Sequence, residues 1–197
     1  MILYLTIIGG GLLLIFVANT IVSVSGGAFT VWYALFQTLL YFVCVFAIDI
    51  VVSLAVRYAP SKLYEPDRKI YKVGEREKRF YNFIKIKEWK DKIPELGKMA
   101  NFDKKKIEKL EAEYLYKFAK ETVYAEIMHV GMAIFGWAIL FIPGNATIFN
   151  FAFPIALVNF LLQIPPILTQ RYNRPKLLKA YAFMSKKSLS AETVSNA

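Results

Sequence analysis

Residues 2–24 read ILYLTIIGGGLLLIFVANTIVSV and residues 28–48 read AFTVWYALFQTLLYFVCVFAI, two stretches without a single charged side chain. Each is long enough to cross a hydrocarbon core of about 30 Å, which takes about 20 apolar residues in an α-helix. Only Ser25-Gly26-Gly27 separates them, a joint short enough to turn the chain back as an antiparallel hairpin. The first run is not expected to be a secretory signal, because no Lys or Arg precedes it and the apolar stretch is too long. Residues 122–142 and 146–169 repeat the pattern around Pro143-Gly144-Asn145, interrupted only by Glu126 and His129. The predicted architecture is an all-α integral membrane protein with four transmembrane helices in two hairpins. A first hairpin over 1–57 is followed by a basic, cytoplasmic and partly interfacial helical segment over 58–121. A second hairpin over 122–169 leads into a basic C-terminal tail over 170–197, with 180–197 expected to be loose.

Composition supports the same division. The 197 residues are 56 % hydrophobic with ten glycines besides, yet 25 Lys+Arg stand against 15 Asp+Glu. So much apolar material exceeds what the core of a small soluble domain can bury without leaving sticky surface. An aromatic content of 16 % excludes disorder. One Cys and one His exclude a disulfide framework and a mononuclear zinc site within one chain. The charges are segregated: 57–121 holds nineteen Lys+Arg and twelve Asp+Glu, residues from 170 onward hold six and one, and only Asp49 and Glu126 remain. Both hairpin loops are uncharged. The positive-inside bias therefore places the central segment and both termini in the cytoplasm. No nucleic-acid-binding signature accompanies the basic excess, so nucleic acid is not expected as a partner. Anionic lipid headgroups, or a phosphorylated or acidic carrier, account for it.

Within the central segment Phe83, Ile86, Trp89 and Ile93 step by three, three and four. The spacing predicts one helix, limited by Pro94, with an apolar stripe edged by Lys85, Lys87, Lys90 and Lys92. Such a helix lies in the membrane interface or packs on its own domain. A second helix is predicted from Asp103 as N-cap, with Ile107, Leu110, Tyr114 and Phe118 on one stripe. No breaker separates Lys104 from the third span, so that helix runs from cytoplasm into bilayer.

Ionisable groups inside membrane spans mark functional sites by default, and here they are Asp49, Glu126 and His129. At a rise of 1.5 Å per residue, Asp49 lies about 12 Å inside the cytoplasmic edge set by Arg57. His129 lies about 13 Å beyond Lys120, and Gln163 about 12 Å before Arg171. Three polar side chains on three helices thus project to one depth, with Asn159 one turn deeper. Glu126 and His129 are three apart, on one helix face. A carboxylate there can fix the imidazole tautomer while the other ring nitrogen acts as general base. His129 can instead simply bond across the bundle, and Asp49 can pair with Arg57 or cap a neighbour. Di-iron bundles need two Glu-x-x-His motifs; one is present, so no metal is expected. No Gly-x-Ser-x-Gly or phosphate loop occurs, and Cys44 sits mid-span. Direct transfer, with His129 deprotonating an acceptor hydroxyl, is the chemistry these residues favour.

The order Tyr64-Glu65-Pro66, Glu88-Trp89-Lys90-Asp91-Lys92-Ile93-Pro94, Phe102-Asp103-Lys104-Lys105, Glu121-Thr122, Glu126-Ile127-Met128-His129 and Gln170-Arg171-Tyr172-Asn173-Arg174-Pro175 resembles the bacterial glycosyl-4,4'-diaponeurosporenoate acyltransferase family. That family attaches a fatty acyl chain to the sugar of a glycosylated carotenoid. The resemblance covers roughly 60–177. It implies a multi-pass protein of the bacterial cell membrane that moves an acyl group to a hydroxyl of a lipid-linked or glycosylated isoprenoid. Coenzyme A or an acidic acyl carrier protein would present the acyl group as donor substrate, with no cofactor. Catalysis would rest on His129, Glu126 and Asp49. Trp89 and Lys90 would shape the cytoplasmic mouth, and Gln163 belongs with the substrate-binding set. Arg171 and Arg174 would hold a phosphate or carboxylate or anchor the last span. Tyr172 and Asn173 would position polar parts of the acceptor or cap the helix end. The acceptor's identity and the oligomeric state stay open. Two other readings stand beside this one. The first is a non-catalytic membrane subunit or lipid-binding partner, its polar groups only gluing helices. The second is another lipid head-group or phosphoryl transferase, which would need a divalent metal that the sparse membrane carboxylates do not favour.

Overall fold

The computed structural model describes residues 2–26, 30–93, 112–142 and 148–195. Among these residues the chain is all-helical, with no strand. Helix α1 runs Ile2–Gly26 and α2 Val31–Tyr58. Short 3-10 turns at Ser61–Tyr64 and Lys69–Tyr71 lead to α3, Glu75–Phe83, and α4, Ile86–Trp89, with a final turn at Lys90–Lys92. Helix α5, Ala112–Phe135, tightens into a 3-10 turn at Gly136–Phe141. A π-helical turn at Ile148–Ala152 precedes α6, Phe153–Ser195. Four helices, built on α1, α2, α5 and α6, are long and apolar enough to span a membrane. Pro94, the Phe102-Asp103-Lys104-Lys105 stretch, the helix start at Asp103 with Ile107 and Leu110, Gly27, and the Pro143-Gly144-Asn145 joint lie outside the described residues.

Two compact bodies make up the chain: Met1–Tyr58 with Met128–Pro165, and Ala59–Ile127 with Pro166–Ala197. The first is the apolar one. Ile15, Tyr41, Val45, Ile139, Phe151 and Ile155 form its core, with Ala34, Ala152 and Ala156 buried between them. Small residues let backbones approach where lipid removes any hydrophobic force between helices. A Cβ on Gly131 would stand 2.6 Å from Val52 Cγ1, and one on Gly136 would stand 2.4 Å from Asn159 Nδ2. The outer face carries Leu14, Trp32, Phe141 and Phe149, each more than 70 % exposed, a surface suited to lipid and not to water. The π-helical turn disturbs the regular ladder, and Asn19 of α1 donates to the Asn150 carbonyl at 2.9 Å as well as to its own Ile15 carbonyl at 2.8 Å. Backbone acceptors at membrane depth need such partners.

The second body packs Leu115, Phe118 and Ala119 of α5 on Leu177 of α6. Tyr64 lies on Tyr124 with ring centroids 4.1 Å apart. Glu65 accepts from Lys120 Nζ and from the Tyr116 hydroxyl, both at 2.6 Å. These bonds tie the turn before α3 to α5.

Two expectations change here. The single helix predicted through Phe83–Ile93 is broken. Lys85 adopts a left-handed conformation (φ 50°), after the Ile84 amide donates to the Phe80 carbonyl and the Lys85 amide to the Asn82 carbonyl. The Trp89 indole N–H then donates to the Ile84 carbonyl at 2.9 Å, locking the corner between α3 and α4. The expected loose tail is helical as far as Ser195; its Ser, Lys and Ala residues contain no breaker, so the helix seeded by the buried Leu177 continues.

Candidate functional site

In the first body four polar side chains join end to end inside apolar helices. Nδ1 of His129 on α5 meets Oε1 of Gln163 on α6 at 2.7 Å. Gln163 Nε2 donates to Asn159 Oδ1 at 3.0 Å, one turn back along α6. Asn159 Nδ2 donates to the Met132 carbonyl at 3.3 Å and, at the 3.5 Å limit, to Asp49 Oδ1 on α2. Asn159 and Gln163 are buried; His129 and Asp49 are half-buried. His129 and Gln163 therefore meet directly, and Asn159 links them to Asp49.

The direction of this chain follows from one atom that cannot donate. The Met132 carbonyl is an acceptor only, so Asn159 must turn its amide NH₂ toward it. That leaves Asn159 Oδ1 to accept from Gln163 Nε2, which turns Gln163 Oε1 toward the imidazole. An amide oxygen accepts, so Nδ1 of His129 carries the proton. When the ring is neutral, this places its lone pair on Nε2, the form a general base requires. Gly136 makes the arrangement possible, because any side chain there would displace the Asn159 amide.

A second constellation belongs to the other body. Arg171 donates from Nε to Glu77 Oε1 at 2.7 Å and from Nη2 to Oε2 at 3.1 Å, a bidentate fork, and from Nη1 to Glu126 Oε1 at 2.6 Å. Arg174 donates from Nε to Thr122 Oγ1 at 2.9 Å, from Nη1 to the Tyr71 carbonyl at 3.2 Å and from Nη2 to the Thr122 carbonyl at 3.0 Å. Its Nη2 also donates to Glu126 Oε2. Arg174 has no exposed surface and lies over the Tyr71 ring. Glu126 thus joins both guanidinium groups. Burial raises the Glu77 carboxyl, but hydrogen bonds from Arg171 and Tyr81 and the two guanidinium charges outweigh it and hold its pKa below the usual carboxylate value. The Tyr81 hydroxyl, which donates to Glu77, is pushed up by burial and by that carboxylate.

The remaining sequence candidates lie in this second body. Trp89 is half-buried and donates within its own corner; Lys90 pairs with Asp91 at 2.6 Å. Tyr172 meets Tyr81 edge-on, with centroids 5.6 Å apart, and Lys176 Nζ lies 4.0 Å from its ring centre. Asn173 is half-buried on α6. Sequence reasoning missed Glu77, Tyr81, Tyr71 and Thr122. Glu77 lies in the run Glu75-Arg76-Glu77-Lys78-Arg79, which reads as a solvated face. Its one signal is Tyr81 four residues on, the spacing at which helical side chains meet.

Comparison with known proteins finds one family model, described as glycosyl-4,4'-diaponeurosporenoate acyltransferase, matching residues 60–182. No curated protein and no solved structure matches the chain. The matched region takes in the Arg171–Glu126–Arg174 constellation as well as His129, Asn159 and Gln163; it leaves out Asp49.

Proposed function

The chain belongs to this acyltransferase family of carotenoid biosynthesis, and from that premise we propose a mechanism for it. The enzyme moves a fatty acyl group from a cytoplasmic acyl thioester to a hydroxyl of a glycosylated isoprenoid, with His129 as general base. The observation that carries this reading is the hydrogen-bonded chain from Asp49 through Asn159 and Gln163 to His129 Nδ1. Nε2 takes the proton of the acceptor hydroxyl as its oxygen attacks the thioester carbonyl. The tetrahedral intermediate collapses, the C–S bond breaks, and the imidazolium returns the proton to the leaving sulfur. Each turnover makes one ester and one thiol. While Nε2 holds the proton, the aligned Gln163 and Asn159 dipoles and the Asp49 carboxylate face the imidazolium with their negative ends, which stabilises it.

Glu126 serves this mechanism as a positioning residue. Its carboxylate and the two guanidinium groups tie α5 to α6 within the second body, three residues before His129 along α5 and eight or more beyond Gln163 along α6. The lysines and arginines of 57–121 and 170–197 support a cytoplasmic placement of both segments, where a coenzyme A or acyl carrier protein thioester would arrive, with Trp89 and Lys90 at the mouth.

The test is acyl transfer by the purified protein in lipid nanodiscs, supplied with an acyl thioester and a glycosylated carotenoid and read by product mass. His129→Ala is expected to fold normally and to lose rate by about 10²–10⁴-fold, the contribution of a positioned general base. A variant that keeps its rate within a few-fold would overturn the assignment of His129.

A further inference from the structure

Within the first body, α1, α2 and α6 enclose a cleft of about 90 Å³. Its walls are apolar, among them Gly11 and Leu12 of α1, Phe46 of α2 and Val158 of α6, apart from Asp49 and Asn159 on one side. Along α2 it runs from Phe42 to Asp49 and along α6 from Ile155 to Leu162, two helical turns, or about 10 Å. Asp49 and Asn159 are also the far members of the chain that ends at His129, so the cleft touches that hydrogen-bonded chain at those two residues. At the opposite end lie Phe42, Ile15 and Ile155, the last two buried, with no polar group to receive a head.

We propose that this cleft holds the methyl end of the donor's acyl chain and that Gly11 sets the chain length the enzyme accepts. The assignment rests on the acyl-transfer reading above and names the part of the substrate that lies here. Size selects the occupant. An apolar cavity of about 150 Å³ admits a benzene ring; this one is smaller, narrow and two turns long, which suits the end of one flexible chain. The paired chains of a bilayer lipid do not fit it. The wholly apolar lining at the end formed by Ile15, Phe42 and Ile155 matches a terminal methyl group. Gly11 faces the space: a Cβ there would reach only ordinary contact with Val158, 3.8 Å from Cγ1, and a longer side chain would project into the cleft. Gly9 and Gly10 do not line it, and a Cβ on either meets nothing within 4 Å.

The experiment measures kcat/KM of the nanodisc-embedded enzyme for a ladder of saturated acyl-CoA donors that differ by two carbons, with one fixed acceptor. Gly11→Leu is expected to move the optimum to shorter chains and to cut the longest donor at least tenfold relative to the shortest. One misplaced methylene in an apolar pocket is worth about 10–200-fold. Leu12→Ala, which deepens the cleft, is expected to move the optimum the other way. Gly10→Leu is the control and should leave the profile in place. If Gly11→Leu does not accumulate, the direction of the Leu12→Ala shift decides. An unmoved profile in an active enzyme, or an equal shift in Gly10→Leu, overturns the cleft assignment and leaves the acyl-transfer reading standing. A wild type that transfers no chain from any donor overturns both.

Discussion

Gly136→Ala adds a single methyl group, far smaller than most disruptive substitutions, yet it is expected to disable the enzyme through one contact. The new Cβ would stand 2.4 Å from Asn159 Nδ2, with Val45 Cγ2 at 3.5 Å. Ordinary contact needs roughly 3.5 Å or more between such atoms, so the amide must retreat by about 1 Å. Its bond to the Met132 carbonyl is already 3.3 Å and that to Asp49 3.5 Å, so a shift of that size breaks both. Once Asn159 is released, Gln163 Nε2 loses the acceptor that sets which way its amide faces His129, and the preference for one tautomer weakens. A buried amide without partners costs about 1–3 kcal/mol in stability, and a displacement of about 1 Å in catalytic geometry costs about 10²-fold in rate. Acyl-transfer rates for Gly136→Ala, Asn159→Ala and the double variant form the assay. The two singles are expected to lose rate similarly, and the double variant to be no worse than Asn159→Ala, because both changes act through one side chain. Additive losses, or a Gly136→Ala enzyme at full rate, would refute the reasoning.

Other consequences concern the second body. Arg174→Ala removes one of the two guanidinium partners of the buried Glu126 carboxylate, Arg171 remaining, and is expected to cost about 1–3 kcal/mol. Arg171→Ala, at a more exposed site, should cost less; thermal unfolding of both in detergent orders them. Glu77→Gln should lower the unfolding temperature at neutral pH. Because the folded-state pKa of Glu77 is held below its ordinary 4.5, its stabilisation is complete above that value and is lost as pH falls through the folded pKa. The gap between wild type and variant should therefore close on acidification; a gap independent of pH would contradict the assigned ion pair.

The four spans were legible because charge is absent from 2–48 and 146–169, is limited to Glu126 across 122–142, and is dense over 57–121 and from 170 onward. The connection of Asp49, His129 and Gln163 through Asn159 follows the order expected from helical rise. The tautomer was not legible, since it depends on a rotamer of Asn159 that the Met132 carbonyl imposes from another helix. The corner at Lys85 carried no signal either: lysine has no preference for left-handed backbone, and the apolar spacing across Phe83–Ile93 is the same with or without the break. Glu126 was read as the partner that orients His129. The contacts described for it here are with Arg171 and Arg174, and both arginines, expected to meet ligand, are hydrogen-bonded to the protein. Charge pairing of this kind is invisible when each partner is one of many like residues in a basic segment.

His129 is the only histidine in 197 residues, so its ring can be observed without assignment. Protein labelled with ¹⁵N-histidine, reconstituted in lipid at neutral pH, tests the central claim directly. The account expects a neutral ring with its proton coupled to Nδ1 and an unprotonated Nε2, and loss of that single tautomer in Gln163→Ala. A proton on Nε2, or a ring that is charged or populates both tautomers equally in the wild type, would contradict it.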